Sequence, residues 1–359
     1  MKNFLFVFLL LIPSVIFAKD EIWGNFYKKI IDAYVYEVSA EDLAVATLKG
    51  LNKVDNKLRV GNDLSRITLY YSGKVVKTIR KPQEANDVAE WGNLTYQIID
   101  AAVNSSSEAS RRDFEVMDIL AAEMVKILDK DSKIYANFDE VKGISGRNQR
   151  TFAARLENNI LYVKIAAFNK QTLQELINAL GNYEKANALV LDLRGCPGGM
   201  PGEAIMAVDL FLDTGIIISS KGKDITEETY YNADAELMWQ GKKIFVLVDE
   251  ETASAAEILA VSLQEQGRAK IIGTSTKGKG SMQKLIELPT GSVVAITNGF
   301  FITPSGNELN GKGVIPDICT FEMPDDKNID NLLKQQDGQC YAESRSDTEL
   351  EMDIVKTLM

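Results

Sequence analysis

Two short segments of this chain could do covalent chemistry together. Ser254 lies in Thr252-Ala253-Ser254-Ala255-Ala256-Glu257, and Lys279 lies in Gly278-Lys279-Gly280-Ser281-Met282-Gln283. The 359 residues contain no histidine, so no Ser-His-Asp or Cys-His arrangement and no histidine metal site can be built. A hydroxyl nucleophile then needs another base, and a lysine amine can serve. An amine accepts a proton only in its neutral form, so burial must bring an ordinary lysine value of about 10.4 down toward the working pH. Gln283 follows on the same segment and can hold such an amine through its side-chain carbonyl. Each residue alone has a plainer reading. Ser254 or Thr252 is a helix N-cap, and Lys279 is a solvated surface charge.

A third segment, Leu193-Arg194-Gly195-Cys196-Pro197-Gly198-Gly199, carries two consecutive glycines. They let main-chain N–H groups point into a cleft, as an oxyanion hole requires; a Pro-Gly-Gly turn without a chemical role is the alternative. The elements that must position these segments are legible as patterns. Ala188–Leu193 and Ile244–Val248 are nearly continuous apolar runs, the mark of strands buried on both faces. Leu161–Ile165 is a further strand. Helices are predicted over Thr172–Leu180, from about Glu203 to Leu212, and over Ala255–Gln266. Alternating strand and helix predicts an α/β fold, a largely parallel sheet with helices packed on its faces. Ser254 then sits just after a buried strand and at a helix start, where main-chain N–H groups are unpaired and carry partial positive charge.

Residues 19–150 read as mainly helical. Ser39-Ala40-Glu41-Asp42 is a capping signal ahead of a periodic stretch. Arg66–Tyr71 and Lys74–Ile79 flank Ser72-Gly73 as a hairpin. Asn104–Ser107 reads as a loop, and Phe114, Met117, Leu120, Ala121, Met124 and Leu128 recur at helical spacing. Gly143–Asn148 is a polar run and the expected boundary. Turns at Pro289–Gly291 and Pro304–Gly306 mark a β-rich closing section, and a charged amphipathic helix starts near Asp347. Lys2, the apolar run Phe4–Phe17 and the small Ala18 predict an exported chain with a signal peptide over residues 1–18. That run is short for a membrane span, which takes about 20 apolar residues; left uncleaved, it would anchor the chain. The net charge of −11 disfavours nucleic acid as a partner. The three cysteines lack metal-ligand spacing. Cys319 and Cys340 could pair in an oxidising compartment and leave Cys196 free; three unpaired thiols is an equal alternative.

Together the three segments are more specific than any one. The run Ala188–Ile318 resembles the C-terminal processing peptidases, or tail-specific proteases. It is similar to them in Leu193–Gly199, in Thr252–Ile258, in Gly267-Arg268-Ala269, in Gly273–Gln283 and in Gly311–Ile318. Upstream, Leu128–Tyr135 is similar to the segment that precedes the family's inserted domain. The resemblance implies Ser254 as nucleophile, Lys279 as base and Gln283 as its orienter, with the amides of Ala255 and of Gly198 or Gly199 as the oxyanion hole. It implies a ClpP/crotonase-like catalytic sheet domain packed against helical N- and C-terminal regions, a polypeptide substrate, and no metal or cofactor. The chain departs from the family in several places. Only about Glu140–Glu157 stands where the family carries a PDZ domain, so an adaptor protein presenting the substrate is one route to selection. Ala256 replaces a frequent serine, Cys196 a frequent asparagine and Glu265 a frequent aspartate. Lys277 takes a usually aromatic position and competes with Lys279 as the base; Glu257 and Glu265 are acids that the fold could bring to Lys279.

The expected organisation is therefore a signal peptide (1–18), a mainly helical region with a hairpin (19–150), an α/β serine peptidase domain (151–322) and a C-terminal helical tail (323–359). The expected activity is that of an exported, most simply periplasmic, serine endopeptidase with a Ser-Lys dyad. Two rivals stand beside it: a non-catalytic peptide-binding or scaffolding protein on the same fold, and a crotonase-type acyl-thioester enzyme using Gly198-Gly199 as its oxyanion loop.

Overall fold

The computed structural model describes residues 21–141, 151–223, 228–234, 236–320, 329, 340 and 348–359. The expected signal peptide, the polar run Gly143–Asn148 and most of the stretch after residue 322 fall outside these residues. The chain divides into two compact units, Met1–Ile134 with Ile286–Ile296, and Tyr135–Leu285 with Thr297–Met359.

The first unit holds α1 (Glu21–Ala33), α2 (Ala40–Lys49), α3 (Leu51–Val54), α4 (Val88–Ser105), α5 (Ser107–Arg111) and α6 (Asp113–Val125), with β1 (Leu58–Asn62), β2 (Arg66–Tyr71) and β3 (Lys74–Arg80). Ser39 caps α2 through a capping box with Asp42. The β2–β3 turn has positive φ at Ser72 (50°) and Gly73 (80°), the geometry that matches strand twist in a two-residue hairpin. One expectation fails here, and the hairpin gains a strand that the sequence pattern does not announce. Asn104 and Ser105 complete α4, and Ser106 caps α5 through its hydroxyl, so the serine run breaks and restarts a helix instead of forming a loop. β1 pairs with β2 and makes the hairpin a three-stranded sheet; its short run, interrupted by Gly61, lacks a strand signature. The unit's core is aromatic and aliphatic, with Trp23, Tyr27, Leu43, Leu48, Trp91, Ile98 and Leu120 buried, and Ile286, Leu288, Val294 and Ile296 join it from far along the chain.

The second unit begins within β4 (Lys133–Tyr135) and continues through α7 (Phe138–Val141), β5 (Phe152–Glu157), β6 (Ile160–Ile165), α8 (Thr172–Asn182), β7 (Ala188–Asp192), α9 (Pro201–Asp209), β8 (Ile216–Gly222) and β9 (Glu228–Asn232). β10 (Lys243–Val248), α10 (Ala255–Glu265), β11 (Lys270–Gly273), β12 (Ser281–Glu287), β13 (Val293–Ile302), β14 (Ile318–Cys319) and a C-terminal helix (Thr348–Leu358) follow. The main sheet has the order β14-β11-β10-β7-β6-β5. Its strands run parallel except β5, which is antiparallel to β6 at the edge. A second sheet has the order β12-β13-β8-β9.

The apolar runs are explained by burial on both faces. Leu189 and Leu191 of β7 pack with α8, α9 and α10 residues such as Leu176, Ala204 and Leu259. Ala188 and Val190, one residue out of phase, pack with Leu350, Ile354 and Val355 of the C-terminal helix. The α/β class holds, with the C-terminal helix as one cover of the sheet. No helix among the described residues is long and apolar enough to cross a membrane.

Cys319 and Cys340 form a disulfide with a Cα–Cα distance of 5.6 Å, and Cys196 is free and buried. Burial pushes the Cys196 thiol up to about 11, so it is a poor nucleophile at neutral pH. The disulfide closes a sequence separation of 21 residues. A loop of that size should stabilise the fold by about 3 kcal/mol. Urea unfolding of oxidised chain against a Cys319→Ala/Cys340→Ala variant measures it; equal midpoints would contradict the pairing.

Candidate active site

The three chemical segments leave the carboxyl ends of three neighbouring strands. Leu193–Gly199 follows β7, Asp249–Glu257 follows β10 and Thr274–Gly280 follows β11, and the sheet order places β10 between the other two. Ligands in open α/β sheets sit at this end of the strands. Hydrogen bonds then lock loop to loop. Thr252 Oγ1 donates to Leu193 O at 3.0 Å, and Ala253 N donates to Cys196 O at 2.9 Å. The Asp249 carboxylate accepts from Gly195 N at 2.9 Å and from Thr252 N at 2.9 Å. Lys277 N donates to Thr252 O at 3.0 Å.

Ser254 ends this turn with φ 57° and ψ −120°, a conformation L-residues rarely adopt. Such strain costs about 1–3 kcal/mol and persists only where surroundings impose it. The residue is half-buried, and α10 starts at the next position. Gly198 lies directly against it: a Cβ built on Gly198 would stand 2.7 Å from Ser254 Cβ and 2.9 Å from Ala255 N. No side chain fits there. Gly198 O accepts from Phe168 N at 2.8 Å. Because that peptide is trans, the Gly199 N–H points away from Phe168. Among the described residues the amides of Gly198, Gly199 and Ala255 have no acceptor.

The residue that joins the segments is Glu257. Its side chain is fully buried. Its carboxylate accepts from Ser254 N at 2.7 Å, Lys279 N at 2.8 Å, Gly278 N at 2.6 Å and Thr276 Oγ1 at 2.5 Å. The contact with Lys279 is thus to its main chain, not its amine. Glu265 is elsewhere engaged, accepting from Ser305 N at 2.8 Å. Lys279 is half-buried and Lys277 exposed, and Gln283 lies half-buried on β12. Among the described residues no hydrogen bond joins Ser254 Oγ to Lys279 Nζ. Catalytic hydrogen bonds are often long without substrate and tighten in its complex. No group of acidic or cysteine side chains among the described residues could hold a metal ion.

Residues 159–320 match the model of peptidase family S41. A carboxy-terminal-processing protease of Bartonella bacilliformis is 34% identical over 200 residues, covering 54% of this chain and 44% of that protein. The carboxy-terminal processing protease CtpA of Bacillus subtilis is 36% identical over 185 residues, covering 49% and 38%. The matches therefore span less than half the length of these relatives. A solved photosystem II D1 C-terminal processing protease is 26% identical over 55% of this chain and 54% of its own, with a TM-score of 0.45.

Beneath the glycine loop lies a buried charged cluster that the sequence reading did not single out. Arg194 Nε and Nη2 donate to the two Asp192 oxygens at 2.9 and 2.7 Å, and Arg194 Nη1 donates to Glu351 Oε2 at 2.5 Å. Lys164 Nζ donates to Asp192 Oδ1 at 3.1 Å, and the Tyr162 hydroxyl donates to Asp192 Oδ2. Burial works against the Asp192 charge, but the hydrogen bonds and charge of Arg194, with Lys164 and Tyr162, outweigh it and hold the carboxyl at about 2. Burial, with Asp192 as the nearby anion, pushes the Tyr162 phenol up to about 12. The signal available in the sequence was the alternation along β7: Asp192 shares the face of Ala188 and Val190, which is wholly buried, so its charge had to be paired.

Two outcomes follow. Replacing Glu257 by Gln turns one acceptor oxygen into a donor facing N–H groups, which should cost about 2–4 kcal/mol in urea unfolding; an unchanged midpoint would refute the clamp. The Asp192 carboxyl is held below its unfolded value of 3.8, so it stabilises the fold fully above about pH 4 and loses that contribution as pH falls through 2, about 2 kcal/mol in all. Stability against pH should therefore fall less steeply below pH 4 in Asp192→Asn than in the parent chain.

Proposed function

We propose that this chain is an exported serine endopeptidase of the C-terminal processing type. Ser254 is the nucleophile and Lys279 the general base, oriented by Gln283. The Ser254 hydroxyl attacks the scissile carbonyl as its proton passes to the Lys279 amine. The amides of Ala255 and of Gly198 or Gly199 receive the charge that develops on the carbonyl oxygen. Lys279 returns the proton to the leaving amine, and water then hydrolyses the acyl-enzyme by the same route reversed. The substrate is a polypeptide, either bound directly or presented by an adaptor, and the compartment is the periplasm.

The observation that carries this reading is the Glu257 clamp. It brings the main chains of Ser254 and Lys279 onto one carboxylate, next to a glycine loop in which the Gly198 and Gly199 amides have no acceptor among the described residues. A scaffold that only bound peptide would have no use for a strained serine held beside unpaired amides. The compartment rests on the N-terminal apolar run read from the sequence.

The test is turnover of an unstructured peptide. Ser254→Ala should abolish it in a folded protein, along with labelling by a serine-directed fluorophosphonate. Lys279→Arg should be inactive, because a guanidinium stays protonated, while Lys277→Arg keeps wild-type turnover within about twofold, since only its main chain is used. Turnover surviving in Ser254→Ala would remove the nucleophile assignment. A dead Lys277→Arg beside an active Lys279→Arg would reverse the choice of base.

A further inference from the structure

We propose that Glu351, on the C-terminal helix, is a positioning residue of the site: its buried carboxylate ties the root of the glycine loop to the root of the lysine loop, the loop whose tip Glu257 clamps to Ser254. The inference rests on the reading of Ser254 and Lys279 given above.

Glu351 is completely buried. One of its oxygens accepts from Arg194 Nη1 at 2.5 Å, the other from Thr320 Oγ1 at 3.0 Å. Arg194 is the root of the glycine loop. Its N–H is held by Asp192 Oδ1 at 3.0 Å, its carbonyl accepts from Lys164 Nζ at 2.5 Å, and the next amide, Gly195 N, goes to Asp249. Thr320 marks the root of the lysine loop. Its N–H donates to Gly273 O at 2.8 Å, at the end of β11 where the chain departs toward Lys279. The same root has a second tether from the C-terminal part of the chain, since Ser275 Oγ donates to Cys340 O at 2.9 Å and Cys340 is bonded to Cys319. A residue 157 positions beyond Arg194 thus sets the separation of the two loops from below.

Stability alone does not account for this carboxylate. The C-terminal helix already docks through Leu350, Ile354 and Val355, and a buried ion pair is often no more stabilising than apolar residues of the same volume. What the pair adds is direction. The guanidinium is oriented by Asp192, Glu351 and the Tyr162 hydroxyl, while the main chain of the same residue is held at its N–H and at its carbonyl just before Gly195. Misplacement of oxyanion donors by an ångström can cost about a hundredfold in rate.

The full-length wild type is compared with Glu351→Gln, which keeps the shape and removes the charge, and with Ile354→Ala, which weakens helix docking and keeps the charge. Urea unfolding calibrates the stability lost in each. Amide hydrogen exchange is followed over 194–200 and 273–280, and kcat and KM are measured on one peptide with the rate of Ser254 labelling by a fluorophosphonate. Glu351→Gln should speed exchange in both loops and lower kcat and labelling about tenfold, with KM within about twofold. Ile354→Ala should leave both loops and kcat near wild type, even at equal or greater loss of stability. Loops and kcat unchanged in Glu351→Gln, or effects in both variants that simply follow stability, overturn the proposal. If Glu351→Gln does not fold, Thr320→Val removes only the lysine-loop bond, and faster exchange over 273–280 then supports the proposal and unchanged exchange overturns it. If the wild type shows no Ser254-dependent turnover, the peptidase reading fails, and the exchange measurement still decides the role of Glu351.

Discussion

A carboxylate with no access to water and four hydrogen bonds to accept is the constraint on which the rest of the site depends. Glu257 cannot be buried as an ion unless its oxygens are satisfied. Three of its donors are main-chain N–H groups, those of Ser254, Gly278 and Lys279. Main-chain donors cannot rotate away as side chains can. Satisfying Glu257 therefore forces two segments that lie far apart in sequence into one geometry. It also supports the unfavourable backbone of Ser254, because the amide of that strained residue is itself one of the bonds that would be lost on relaxation.

The clamp works because the sheet delivers its parts. Parallel strands β7, β10 and β11 are neighbours, so their carboxyl ends open side by side. Each strand is covered on both faces, by α8, α9 and α10 on one and by the C-terminal helix on the other. The site is then held from two levels. Glu257 closes the loop tips above the sheet edge, and the Asp192, Arg194 and Glu351 cluster organises the roots. Gly198 is the point where tolerance vanishes, since its missing side chain is the space that Ser254 occupies.

Much of the second unit was legible because its signals are local. The buried strands announce themselves as apolar runs, the helices between them by period, and Ser254 by its place between a strand and a helix. In the first unit the hairpin turn at Ser72-Gly73 and the cap at Ser39 were legible for the same reason. The errors also have local causes. The serine-rich stretch at 104–107 reads as a loop, yet Ser106 serves as a cap between two helices. β1 has no pattern of its own and exists because β2 offers it an edge. Residues 286–296 read as part of the β-rich closing section, but their apolar side chains belong to the core of the first unit.

By itself the sequence determined that these 359 residues offer no histidine, that a serine lies between a buried strand and a helix, that a lysine lies in a glycine-rich segment, and that a paired-glycine turn follows another buried strand. It determined the α/β class, because apolar runs of strand length alternating with amphipathic helices have few other ways to bury both faces. Only the tertiary structure decided which acid meets which loop. Glu257 and Glu265 lie on the same helix, and nothing in their spacing says that one binds the amides of Ser254 and Lys279 while the other binds Ser305. Nor does any local pattern connect Glu351 to Arg194. A hydrogen bond to a distant partner leaves no periodicity in the chain; it exists only once the strand order and the packing of both sheet faces have brought donor and acceptor within reach.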